Sequence, residues 1–120
     1  LFIAATTAAR SWRGQIIEAE ARARAGVPAH VYQLDWGNAA HTDDIPLVFG
    51  TTTDPAAFPV RDAMMAALER FARTGDPGWP PHTLPARLTM IFDSESRLVS
   101  NPRAFARELF QRVPYIQPGS

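Results

Sequence analysis

The stretch Asn38-Ala39-Ala40-His41-Thr42-Asp43-Asp44-Ile45-Pro46-Leu47-Val48-Phe49-Gly50 constrains this chain most. It follows residues 29–36, whose alternation predicts a strand with Tyr32, Leu34 and Trp36 on one face and Val31, Gln33 and Asp35 on the other. Gly37-Asn38 is a turn signal that ends the strand and presents His41. Two acids and a tight apolar run closed by a glycine come next. A strand fixes the backbone, and a loop after it can aim an imidazole into a cleft. A strand entered from a helix through a short connection suits an α/β layer fold.

The rest of the chain supplies the elements such a fold needs. Residues 1–8 are small and apolar, a short helical turn or a connector. Residues 9–25 predict a helix, with Trp12, Ile16, Ala19 and Ala23 at near-helical spacing and charges on the other faces, stopped by Gly26 and Pro28. His30 lies within the predicted strand and reads as structural. Residues 51–55 are a polar connector. Residues 58–73 predict the clearest helix, with Val60, Met64, Ala67, Leu68 and Phe71 as its apolar stripe. Glu69 and Arg73 form a favourable i,i+4 pair, and Met64 with Met65 reads as core filling. Pro77, Pro80, Pro81 and Pro85 stiffen an irregular loop over 76–86, which Trp79 pins to the body. Residues 87–92 and 97–100 predict two strands joined by the turn 93–96. Asn101 then reads as the cap of a last helix with Pro102 at its first position. Phe105, Ala106, Leu109 and Phe110 form its buried side, Pro114 its end, and a frayed tail follows.

Composition removes several classes of function. The 120 residues suffice for one domain, and 46% hydrophobic with 20% charged residues fits a globular chain. The formal net charge is zero, which argues against nucleic acid or an acidic membrane surface as partner. All twelve basic residues are arginine. Without cysteine there is no disulfide, thiolate metal site or thiol nucleophile. No apolar run has membrane-spanning length, and no signal peptide or initiating Met is present. The abrupt start at Leu1 predicts a piece of a longer protein.

The loop resembles the histidine loop of the type-B carboxylesterases, the group that includes the cholinesterases and the bacterial para-nitrobenzyl esterases. The resemblance rests on Ala40-His41 followed by the acid Asp44, the aliphatic Ile45 and the closing Phe49-Gly50. Other landmarks keep the family's order. Val31-Tyr32 with Leu34-Asp35-Trp36 is similar to the strand before the loop, and Phe71-Ala72-Arg73-Thr74-Gly75-Asp76-Pro77 to the end of the helix after it. Trp79-Pro80, then Leu88-Thr89-Met90-Ile91-Phe92-Asp93, then Asn101-Pro102 complete the match, which runs from about Phe2 to Phe110.

This resemblance implies an α/β fold: residues 1–120 as the C-terminal portion of one α/β-hydrolase domain. Its elements would be a helix, the last parallel strand, the histidine loop, a helix, a β-hairpin and a C-terminal helix. It implies a serine esterase acting on small-molecule carboxylic esters without a cofactor or metal. His41 would be the catalytic general base, with Asp44 as support through a bond to loop backbone or an arginine. Asp43 is expected at the surface, and Asp35 matches a strand position rather than the family's acid. In α/β-hydrolases the order is serine, acid, histidine, so a piece with only the histidine is C-terminal. Ser11, Ser94, Ser96, Ser100 and Ser120 lie in no Gly-x-Ser-x-Gly, and no Gly-Gly-Gly run is present. The chain alone is therefore expected to be inactive.

The rival expectation is a non-catalytic binding or adhesion module, since some relatives of this family have lost catalytic residues. A metal site from His41, Asp43, Asp44 and His82 is weak, because the spacing matches no common site. The strand at 29–36, without its sheet neighbours and covering helices, predicts self-association of the chain. Cytoplasm and export both stay open, with the cytoplasm preferred for a bacterial esterase.

Overall fold

The structure is a computed structural model, and it describes residues 12–39 and 42–114. Helix α1 (Arg13–Arg24) leads to strand β1 (Tyr32–Leu34), the one-turn helix α2 (Ile45–Val48), a 3-10 turn (Pro55–Ala57) and helix α3 (Phe58–Thr74). Strands β2 (Leu88–Phe92) and β3 (Arg97–Ser100) and helix α4 (Ala104–Phe110) follow. The sheet order is β1-β2-β3. β1 and β2 are parallel, with Tyr32 opposite Met90, Gln33 opposite Ile91 and Leu34 opposite Phe92. β2 and β3 form an antiparallel hairpin across the turn that the sequence predicts.

A parallel pair requires a crossover. Here α2, the 3-10 turn and α3 provide it. Asp54 opens the 3-10 turn by accepting the Ala56 N–H on Oδ1 at 3.0 Å. Helix α3 ends where Gly75 turns left-handed (φ 77°) and its N–H bonds the Phe71 carbonyl at 2.7 Å. Leu47, Ala57, Val60, Met64, Trp79 and Phe92 form the buried core, with Leu34, Trp36 and Met90 packed against it. Met90 and Phe92 thus point to the α3 side. By strand alternation Thr89 and Ile91 point to the other face, and both are also buried. Trp79 is enclosed, as expected of an anchor for the proline-rich loop.

Several expectations are corrected. The strand predicted over 29–36 pairs only over Tyr32–Leu34: beyond Phe92 the partner strand ends, and before Tyr32 the Ala29 carbonyl takes the His82 N–H instead of joining the ladder. It is not stripped of sheet neighbours: β2 covers one edge, and Met90 N–H to Val31 O (3.0 Å) and Asp35 N–H to Phe92 O (2.9 Å) extend the ladder. Helix α4 begins later than the Asn101-Pro102 signal. Asn101 (φ 50°) and Arg103 (φ 59°) are left-handed, and the Asn101 side chain accepts from Arg107 Nε at 3.1 Å instead of capping. Nor is the apolar side of α4 buried: Phe105 is 80% exposed and Leu109 51%. The stripe of α3 is buried only at Val60 and Met64, whereas Leu68, Phe71 and Met65 are exposed, so only one methionine of the pair fills the core. Glu69 and Arg73 do form their ion pair. Residues 1–11 and the tail from 115 onward lie outside the described residues.

Candidate active site

β1 runs directly into the loop that carries the histidine motif. His41 itself lies outside the described residues, so the site is built from its neighbours. On either side of residues 40–41 the backbone is left-handed at non-glycine positions, Ala39 (φ 45°) and Thr42 (φ 70°). Such conformations cost on the order of 1 kcal/mol each and persist where surrounding structure enforces them. The Ile45 N–H bonds the Thr42 carbonyl at 3.1 Å and closes the turn.

The enforcing structure begins at Asp44. Its backbone is the N-cap of α2, and its carbonyl accepts from Leu47 N–H (3.1 Å) and Val48 N–H (2.8 Å). The side chain does not cap this helix. It accepts the Tyr32 hydroxyl on Oδ2 at 3.0 Å. The partner is therefore a strand tyrosine, not the backbone or arginine expected from sequence. Partial burial of a residue that is still 42% exposed, then the bond to Asp44 and its negative charge, push the Tyr32 hydroxyl up to about 12. The Tyr32 ring meets Phe92 edge-on, with centroids 5.7 Å apart, so core packing orients the hydroxyl.

The apolar run is a helical turn rather than an extended segment. Leu47 is 2% exposed and joins the core, while Phe49 is 69% exposed. Gly50 (φ 69°) reverses the chain; its N–H bonds the Leu47 carbonyl at 3.2 Å, and Thr51 N–H bonds Pro46 O at 2.8 Å. A Cβ at Gly50 would meet only the flexible end of the Met65 side chain, so it is the left-handed turn that favours glycine here. That is the physical reason for the glycine closing the motif.

Beside this loop lies an open cleft of about 500 Å³, with Ala39, Tyr32 and Asp44 at its loop end, Ile16 of α1 along one wall and His82 and Arg103 further along. Glu20 of α1 receives Arg87 Nε at 2.9 Å, a partly buried ion pair that ties α1 to the base of the hairpin. His82, considered from sequence only as a weak metal ligand, is 2% exposed. Its backbone N–H bonds Ala29 O at 2.7 Å and its Nδ1 lies 3.3 Å from Leu88 O, leaving Nε2 without a partner among the described residues. Burial above all pushes its imidazole below the usual histidine range. No sequence signal marks this burial. His30 is structural, as expected, packing edge-on against Phe71 (6.1 Å) and Trp79 (6.3 Å). Asp35 accepts from Gln33 Nε2 at 2.7 Å, and Asp43 is exposed. Among the described residues no three His, Cys, Asp or Glu side chains gather as a metal site, and no helix is long and apolar enough to cross a membrane.

Comparison with known proteins connects this geometry to a family. No family model matches the chain. A solved PNB esterase is similar to it with a TM-score of 0.74 and 25% identity, over 82% of this chain and 24% of that one. A carboxylesterase of Geobacillus stearothermophilus gives a TM-score of 0.70 and 25% identity, over 78% of this chain and 24% of its own. Neuroligin-3 of Mus musculus is 33% identical over 54% of this chain and 10% of the relative. The chain thus spans about a tenth of the curated relatives it matches and about a quarter of the solved esterases. Its helices and mixed three-stranded sheet are a portion of the α/β-hydrolase fold of those esterases.

Proposed function

Because this chain is carboxylesterase-like in sequence and fold over a segment of that family's length, we infer that it supplies the histidine of a serine ester hydrolase. The observation that carries this reading is the motif Ala40-His41 to Phe49-Gly50 at the carboxyl end of a parallel strand, in a segment shaped like the esterases. Catalytic residues of open α/β sheets gather at that end of the strands.

In this reading His41 accepts the proton of a serine hydroxyl as its oxygen attacks the ester carbonyl. The imidazolium then protonates the departing alcohol, and the neutral ring activates the water that releases the acid. The serine, the acid that orients the ring and the oxyanion donors come from sequence outside these 120 residues. Residues 1–120 form the C-terminal segment of the domain, and the substrates are carboxylic esters of small or medium size. The chain alone hydrolyses p-nitrophenyl acetate no faster than buffer. A burst of p-nitrophenol stoichiometric with the chain would overturn that. In the longer reading frame, fluorophosphonate labels one serine and His41→Gln abolishes hydrolysis.

A second reading is favoured by the neuroligin likeness: a carboxylesterase-like module that binds a partner without hydrolysis. Absence of any fluorophosphonate-reactive serine in the longer frame would select it. Under either reading the isolated chain self-associates. Among the described residues β1 pairs on one edge only, which leaves the outward backbone groups of Tyr32 and Leu34 open to another strand. Light scattering is expected to show mass rising with concentration; the mass of one chain throughout would refute it.

A further inference from the structure

We propose that Tyr32 is a positioning residue for the histidine loop, which it holds through its hydroxyl bond to Asp44. This rests on the esterase reading of His41, which stands three residues before Asp44. Asp44 works in two directions at once. Its carbonyl starts α2, whose Leu47 is locked in the core, and its carboxylate reaches back to β1 at 3.0 Å. Tyr32 is itself oriented by Phe92, which is 4% exposed and central to the core. A continuous path therefore runs from Phe92 through Tyr32 to Asp44, across a separation of twelve residues in sequence. Left-handed Ala39 and Thr42 need such a tether, because nothing in their own residue types favours that backbone. A hydrogen bond to a carboxylate is stronger than one between neutral groups.

The test uses Tyr32→Phe, which keeps the ring on Phe92 and removes only the hydroxyl. In the 120-residue chain, amide exchange at Leu47 and Val48 is expected to accelerate about tenfold, the loss expected for a hydrogen bond to a charged group. The imidazole resonances of His41 should shift, while those of His30 and His82 stay in place. In the longer reading frame, kcat for p-nitrophenyl acetate should fall about tenfold with KM within about twofold, as for a displaced catalytic group. If His41→Gln abolishes hydrolysis but Tyr32→Phe leaves kcat and the His41 resonances unmoved, the positioning role is wrong and the esterase reading stands. If His41→Gln leaves hydrolysis intact, the esterase reading is wrong and the positioning role falls with it.

Discussion

The α3 side of β2 and the side facing α1 are built to different standards. On the first, Leu47, Val60, Met64 and Phe92 are each under 5% exposed and enclose one another. On the second, a single alanine of α1 is buried, a cleft of about 500 Å³ stays open, and α4 buries none of its residues. Around the buried Ile91 and Thr89 of β2, the second side relies on polar links: Glu20 to Arg87, Arg107 to Asn101 and Ser100 Oγ to the Ala86 carbonyl at 2.6 Å. Apolar burial contributes about 25 cal/mol per Å², whereas a single hydrogen bond contributes on the order of 1 kcal/mol net. The α3 side is therefore the more apolar one, and Leu47 of the histidine motif packs there rather than against α1 or α4.

Mutations can break this contrast directly. Leu47→Ala should cost about 3 kcal/mol in urea unfolding, within the range for a buried leucine. Phe105→Ala, larger in volume but 80% exposed, should cost less than about 0.5 kcal/mol. Equal costs would mean that α4 is covered in solution. A second effect is expected on the α1 side, from His82. Its folded imidazole titrates below the unfolded value near 6.5, so the unfolded chain binds more protons as pH falls. Stability contributed by neutral His82 is present above pH 6.5 and lost on acidification below it. The urea midpoint should drop from pH 7.5 to 5.5, and less so in His82→Phe, which cannot be protonated. The smallest effect sharpens the contrast from outside the core. Glu69→Ala removes an exposed partner of Arg73 on α3 and should shift stability by less than about 0.5 kcal/mol; a larger loss would mean that surface charge sustains this helix.

Much of the architecture was legible from sequence because local signals and tertiary packing agree. Helix α3 was expected at 58–73 and spans Phe58–Thr74, since its apolar stripe and the stop signal of Gly75 and Pro77 agree. The β2–β3 hairpin and the anchoring role of Trp79 were legible for the same reason. Periodicity, however, reports which residues share a face, not whether anything covers it. Phe105 and Leu109 share a face of α4 that no described residue encloses. Strand length was misjudged because pairing depends on a partner fifty-odd residues away, and only Met90 to Phe92 of β2 pair with β1. At the site, the motif residues were readable in order, but Tyr32 as the partner of Asp44 and the burial of His82 were not. Neither leaves a periodic pattern: the first joins residues twelve apart, and the second depends on how the loop folds between Ala29 and Leu88.

Leu47 links two properties usually measured apart. It sits six residues beyond His41, in the turn that Asp44 begins, and its side chain is wedged among those that surround Met64 and Trp79. Warming that loosens this wedge slackens the motif in the same transition. Unfolding of the core and loss of the turn from Asp44 to Gly50 are accordingly expected to coincide. Indole fluorescence of Trp79, with Trp12 and Trp36 replaced by phenylalanine, would trace both on a single melting curve.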